Sequence, residues 1–264
     1  MPWSFRLTSY NILADAYASK RLFPAIEPAV LSWRRRAPEI VERVAQLEPD
    51  VVCLQEVQAS HWPELQSVFE QRGWHGTFAQ KRQSRLDGCA ILSCRDGALR
   101  LVEMDTLYFE DGEHGAEASG HLAMISAFDT PAGLVRIANT HLRWQAGTTQ
   151  PEEHIGYRQA VQLLEICSGP GSNALATIIC GDFNVSPENP VVQLFGDRGF
   201  VDAYGLSPQA TCNPNGRAKR IDYIFATRGL TLRAEPLPEL ADDTPMPNSK
   251  EPSDHLPLTA FMSC

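Results

Sequence analysis

Apolar positions along this chain follow two rhythms. Ile40, Val41, Val44 and Leu47 recur at helical spacing, which predicts a helix over residues 33–48 that Pro49-Asp50 ends. A second helical stretch covers 61–72 and closes at Gly73. Between the two, Val51-Val52-Cys53-Leu54 is an unbroken apolar run, as in a strand buried on both faces, and it stops at a polar tip, Gln55-Glu56. Residues 5–13, 89–92, 99–107, 121–128, 134–138, 175–180, 221–226 and 255–261 read as further strands. Gly112, Gly115 and Gly120 punctuate a polar loop between two of them. Thr149-Gln150-Pro151-Glu152 carries a capping-box pattern with proline in the first turn, so a helix is expected from there to about Cys167. Gly169-Pro170-Gly171 breaks the chain after it, and 235–253, rich in Pro, Asp and Glu, read as a long surface loop.

Many strands with few helices between them predict a layered α/β domain, not a strict alternation of strand and helix. At 264 residues the chain lies between one and two domains on a rule of ~150 residues each. No shift of composition and no internal repeat divides it, so 1–264 is read as a single domain. Charge changes the picture more. With 23 basic and 32 acidic residues the net charge is −9, which argues against a protein that wraps nucleic acid with excess Lys and Arg. It leaves room for an enzyme whose cleft holds a metal and a few local arginines. Seven cysteines, an odd number with no Cys-x-x-Cys pair, point to reduced thiols and no zinc site. Neither a signal-peptide pattern nor an apolar run of about 20 residues is present, so a cytoplasmic protein with no membrane partner is expected.

The chemistry gathers where strands end. Apolar runs give way at once to polar clusters at Asn11, Gln55-Glu56, Asn139-Thr140-His141, Asp182-Phe183-Asn184, Asp222 and Asp254-His255. Should those ends converge, they build one site of carboxylates, amides and two histidines. Such donors suit a hard cation, Mg²⁺ or Mn²⁺, better than zinc.

The order of these clusters resembles the endonuclease/exonuclease/phosphatase superfamily of magnesium-dependent phosphoesterases. The matching stretches are Gln55-Glu56-Val57, Asn139-Thr140-His141-Leu142, Gly181-Asp182-Phe183-Asn184, Arg220-Ile221-Asp222-Tyr223-Ile224 and Ser253-Asp254-His255-Leu256-Pro257. That resemblance implies a four-layer α/β/β/α sandwich, two mixed sheets face to face with helices outside. Ser9-Tyr10-Asn11-Ile12-Leu13-Ala14-Asp15, Leu31-Ser32-Trp33-Arg34 and Asp87-Gly88-Cys89-Ala90-Ile91 resemble, more narrowly, the deadenylase branch that includes nocturnin and Angel. Val185-Ser186-Pro187 after the Gly-Asp-Phe-Asn stretch weighs against the inositol-polyphosphate phosphatases.

Roles follow from the resemblance. It implies Glu56, Asn11 and Asp254 as metal ligands for one or two Mg²⁺ or Mn²⁺ ions. It implies Asp182 as the group that orients or deprotonates water, and Asn184, His141 and His255 as donors to phosphate oxygens, with Asp222 fixing the tautomer of His255. Basic segments at Arg34-Arg35-Arg36, Lys81-Arg82, Arg85, Arg143 and Arg217 with Lys219-Arg220 flank these motifs as a phosphate track or as solvated surface. Lys81, Arg85, Arg143 and Trp144 are the expected substrate contacts, Trp144 by stacking on a base. Ala146 stands where this branch commonly carries a base-packing proline. The expected activity is Mg²⁺-dependent hydrolysis at RNA 3′ ends or on short oligoribonucleotides, as a 3′→5′ exoribonuclease. Alternatives are removal of RNA 2′,3′-cyclic phosphate, as in Angel, or of the 2′-phosphate of NADP(H), as in nocturnin. No obligate protein partner is expected.

Overall fold

The structure, a computed structural model, describes residues 3–95, 97, 99–112, 117–146, 150–169, 173–205, 207 and 209–263. Its strands are β1 (Ser4–Asn11), β2 (Val51–Gln58), β3 (Trp74–Gln80), β4 (Asp87–Cys94), β5 (Arg100–Tyr108), β6 (Leu122–Thr130), β7 (Gly133–His141), β8 (Ala176–Asp182), β9 (Phe200–Asp202), β10 (Asp222–Thr227), β11 (Thr231–Ala234) and β12 (Leu258–Ser263). Helices are α1 (Pro28–Leu31), α2 (Trp33–Gln46), α3 (Trp62–Gln71), α4 (Ile155–Ser168) and α5 (Pro190–Asp197). The strands form two six-stranded sheets, ordered β11-β12-β1-β2-β4-β3 and β5-β6-β7-β8-β10-β9.

Each sheet repeats one scheme. A parallel pair sits in the middle, β1 beside β2 and β7 beside β8, and antiparallel strands flank it. Strands of a parallel pair end on the same side. Asn11 and Glu56 therefore leave the first sheet together, and His141 and Asp182 leave the second together, in register as neighbours. Alternation sorts the side chains into three apolar layers. Leu7, Val51, Cys53, Ile137, Ile178 and Cys180 meet between the sheets. Tyr10, Val52, Leu54 and Val57 face outward against Ile40, Val41, Val44, Leu65 and Phe69 of α2 and α3. Ala138, Ile179, Tyr223 and Phe225 face outward against α4 and α5. The result is the expected α/β/β/α sandwich.

Several local expectations shift. The helix expected from Thr149 begins later, because Pro151–Glu153 is only a 3-10 turn and α4 starts at Ile155. The Gln145 side chain explains the start: its Oε1 accepts from the Ile155 amide at 2.8 Å, satisfying an orphan donor of the first turn. Thr149, Gly115 and the 170–171 part of the Gly-Pro-Gly break lie outside the described residues. α1, β3, α5, β9 and β11 were not legible in the pattern; α5 is capped by Asn189, whose side chain accepts from the Val191 amide. The 235–253 stretch carries no helix or strand, as expected.

Candidate active site

The sheet ends bring the predicted clusters into one place. Asn11 spans the two sheets: its Nδ2 donates to Glu56 Oε1 at 3.1 Å and to Asp182 Oδ2 at 3.0 Å. Its Oδ1 accepts from the Leu13 amide at 3.0 Å. Asn11, expected as a metal ligand, thus has its oxygen on the backbone and its amide nitrogen bracing the two carboxylates. Glu56 Oε2 accepts from the Ala14 amide at 3.0 Å. Asp182 Oδ1 accepts from the Asn184 amide at 2.8 Å.

Backbone strain accompanies this convergence. Leu13, Glu56 and Asn184 all sit in the left-handed region, at φ near 55°. For side chains of this size that conformation costs on the order of 1 kcal/mol or more each, and it is tolerated where surrounding contacts over-determine it. Gly181 has φ of 141°, and a Cβ there would fall 1.8 Å from the Thr140 carbonyl oxygen, so only glycine allows β8 to stay paired up to Asp182.

The histidines lie on either side of Asp182. His141 Nε2 is 3.6 Å and His255 Nε2 is 3.7 Å from Asp182 Oδ2. Both oxygens of Asp222 stand 2.9–3.0 Å from His255 Nδ1, which fixes the proton on that nitrogen and leaves Nε2 facing the site. Thr211 holds Asp222 in turn, donating to Oδ2 at 2.5 Å while accepting from the Asp222 amide. Ser253 closes the ring, donating to the Asn11 carbonyl at 2.7 Å and accepting from the His255 amide. Asp254 is buried, and its Oδ1 has no hydrogen-bond partner among the described residues.

Charge states diverge. Burial pushes the Glu56 carboxyl up to about 7, with the Asp254 and Asp87 carboxylates adding to the rise. Burial and then Asp222 push Asp182 up to about 6. Burial also raises Asp254. His255 is held well above the usual histidine range, because Asp222, Asp254 and Asp182 together outweigh its burial. His141 is driven well below that range by burial and then by the Lys81 ammonium.

The four expected substrate contacts and one basic run differ in burial. Lys81 is buried and does not offer a surface contact to phosphate. Its Nζ pairs with Asp87 Oδ2 at 2.6 Å and lies 3.1 Å from His141 Nδ1. Arg36 of the basic run is likewise no phosphate contact: fully buried, it donates to the carbonyls of Leu31, Ile12, Leu13 and Pro252 and pins the loop after β1. Arg85 is half-buried, with Nε donating to the Ser119 carbonyl. Arg143 is half-buried and Trp144 beside it is exposed, just beyond His141 in the chain. Sequence reasoning missed Thr211 and the cluster of Asp111, Ser119, His121 and Gln159 that packs beside His141. In that cluster Ser119 Oγ donates to Asp111 and contacts His121 Nδ1, and the His121 ring meets the His141 ring edge-on at 6.0 Å. Nothing in the motif order marks these residues; only burial shows them.

The donor set fits a hard divalent cation. One ligand atom from each of Glu56, His141 and Asp182 lies within 4.8 Å of the others, and the same holds for Asp182, Asp222 and His255. Three carboxyls are pushed up by burial and mutual repulsion, one of them with an oxygen unpartnered among the described residues, and a divalent cation would offset that repulsion. Comparison with known proteins agrees with this geometry. The sequence profile of the Endonuclease/Exonuclease/phosphatase family matches residues 8–255. The chain belongs to that family. Among its curated relatives, protein angel homolog 2 of Danio rerio is 29% identical over 208 residues, covering 75% of this chain. The 3′-5′-exoribonuclease subunit Ccr4 of the CCR4-Not complex of Kluyveromyces lactis is 26% identical over 321 residues, covering 97%. The chain spans 36% of the length of the first and 40% of the second. Among solved family structures, ANGEL2, a 2′,3′-cyclic phosphatase, in complex with adenosine-2′,3′-vanadate matches with a TM-score of 0.82 at 22% identity, covering 99% of this chain and 96% of that one. The human nocturnin catalytic domain with bound sulfate matches with a TM-score of 0.75 at 26% identity, covering 98% and 93%.

Proposed function

We propose that this protein is a divalent-metal-dependent phosphoesterase acting on RNA 3′ ends or short oligoribonucleotides, foremost as a 3′→5′ exoribonuclease. The observation that carries the reading is the single site built from both sheets. In it Asn11 bridges Glu56 to Asp182, and two histidines flank Asp182. Likeness to the Ccr4 exoribonuclease subunit supports the RNA substrate.

Glu56 and Asp254 would hold the ion, with Asn11 bracing Glu56. When bound, Mg²⁺ or Mn²⁺ supplies positive charge to the phosphoryl oxygens and lowers the pKa of water. The chain's own groups do the rest. Asp182 orients the attacking water and takes its proton as the new P–O bond forms and the bond to the leaving oxygen breaks. Asn184 and His141 donate to non-bridging oxygens, and the charged His255, held by Asp222, offsets the negative charge that develops there.

A second reading, hydrolysis of terminal 2′,3′-cyclic phosphate, is favoured by the 29% identity to an Angel protein. End-labelled RNA separates the two. With Mg²⁺, a ladder of shortened products from a 3′-hydroxyl oligomer supports the exonuclease. Loss of the terminal phosphate alone from a cyclic-phosphate oligomer supports the end-trimming phosphatase. Silence on both, with turnover of NADP(H), moves the assignment to a nucleotide 2′-phosphatase. Asp182→Asn is the control that must be inactive on every substrate.

A further inference from the structure

Glu56 reaches the site only because β2 breaks its own alternation. Val51 and Cys53 face the inter-sheet core, and Val52 and Leu54 face α2 and α3. Continued alternation would turn Gln55 inward, Glu56 outward and Val57 inward. Val57 instead packs outward with Leu54. Pairing explains it: Leu54 lies opposite Ala90 and Val57 opposite Gly88, so Gln55 and Glu56 together face the single residue Cys89. This two-against-one arrangement is a β-bulge, and Glu56 takes the left-handed conformation within it.

A bulge disturbs the ladder and leaves carbonyls in need of donors. Here the donor comes from the other sheet. Asn139, fully buried on β7, sends Nδ2 to the Leu54 carbonyl and to the Ala90 carbonyl, both at 2.9 Å. These are the paired residues at the edge of the bulge. Its Oδ1 accepts from Gln55 Nε2 at 2.7 Å, and the same Nε2 also donates to Ser9 Oγ and the Cys53 carbonyl. Asn139 thus grips the bulge from both sides, and an apolar residue of its size would remove both donations to these buried carbonyls and the acceptor facing the Gln55 amide.

We infer that Asn139 is the positioning residue for Glu56: by pairing the carbonyls of the β2–β4 bulge across the sheet interface, it holds the carboxylate turned into the metal site. The inference rests on the metal-dependent reading above. Residues one step behind a metal ligand typically change affinity 10–100-fold when lost.

The test is Mn²⁺ binding by the whole protein without substrate, with free Mn²⁺ counted by electron paramagnetic resonance. A crystal structure of Asn139→Ala accompanies it. Ser126→Ala serves as a control for general loosening, since Ser126 Oγ donates to the Ile137 carbonyl in the same buried layer, away from the bulge. Asn139→Ala is expected to weaken Mn²⁺ binding at least tenfold and to change the register between Leu54 and Val57, while Ser126→Ala stays within twofold of the parent. Equal weakening by both variants overturns the inference, as does unchanged binding by Asn139→Ala. Glu56 unmoved in an intact bulge overturns it as well. Should Asn139→Ala fail to fold, Gln55→Met frees Asn139 Oδ1 and is expected to weaken binding about threefold; no change overturns it. Failure of the parent to bind Mn²⁺ refutes the metal-dependent reading, and the register change in the crystal still decides the role of Asn139 in the bulge.

Discussion

His141 and His255 approach the same oxygen of Asp182 to within 0.1 Å of the same distance, yet the chain gives them opposite charge states. Both are buried, and burial pushes each towards neutrality. The difference is what stands at Nδ1. For His255 it is the Asp222 carboxylate; for His141 it is the Lys81 ammonium, itself paired with Asp87. A site that must meet developing negative charge thus has a cationic side and a neutral side, set by neighbours of the rings and not by the rings themselves.

The largest expected effect comes from removing what the two histidines share. Asp182→Asn keeps the size and the Asn11 contact within reach but removes the base. Turnover is expected to fall by about 10³-fold or more, with the melting temperature little changed. Activity within tenfold of the parent would show that proton transfer lies elsewhere. Asp222→Asn attacks only the cationic side. The expected loss is about 100-fold or more, with the His255 resonance in a proton-detected pH titration moving down towards or below the ordinary range. A His255 titration unchanged in this variant would break the comparison.

The neutral side is probed by Lys81→Met combined with Asp87→Asn, so that no lone charge stays buried. Without the ammonium, the pKa of His141 is expected to rise, and turnover to fall about tenfold. If His141 still resists protonation to the same pH, burial alone sets its state and Lys81 has no part in it.

A pH scan of the metal-free protein sharpens the same contrast. Glu56 and Asp182 bind protons more tightly folded than unfolded, rising to about 7 and about 6. The folded state then holds more protons than the unfolded state from near pH 4 up to about 7, and stability falls as pH rises through that window. His255, also raised, contributes stability that is complete below about 6.5 and is lost as pH rises through its folded value. Both effects run the same way. Below about pH 6.5 the depressed His141 and His121 act in the opposite sense, so the clean window lies above it. The melting temperature should drop by a few degrees between about pH 6.5 and pH 8 without metal, and Mn²⁺ should restore it most at the high end. A melting temperature that climbs with pH over that window would contradict the raised Glu56 and His255.

These contrasts also show where sequence reading stops. Strand ends were legible because apolar runs such as Val51–Leu54 and Leu175–Cys180 stop abruptly at polar residues; pairing of those ends brought His141, Asp182 and Asp222 together, and side-chain hydrogen bonds join Glu56 through Asn11 and His255 through Asp222. The bulge at Gln55-Glu56 was not legible, since an extra residue in one strand is visible only against its partner. Lys81 and Arg36 read as surface charge because composition counts charges without their partners. Asp87 and four backbone carbonyls, distant in sequence, draw them inside. β3 escaped notice because Trp74-His75-Gly76-Thr77 lacks alternation; it is an edge strand with one neighbour, β4.

The smallest expected effect concerns the approach of substrate. Trp144 is 62% exposed, more than any other large apolar side chain among the described residues, and it follows His141 by three positions. Under the proposed action on RNA, the exposed indole beside the half-buried Arg143 offers a base a stacking surface on the His141 side, with the phosphate drawn towards the charged His255. Trp144→Ala should leave the fold and kcat intact and raise KM for an oligoribonucleotide about tenfold, the amount lost with one stacked base. For a mononucleotide substrate, the same variant separates two geometries. An equal rise in KM places the terminal base on Trp144, whereas no rise places the penultimate base there and sets the minimum useful substrate at two nucleotides.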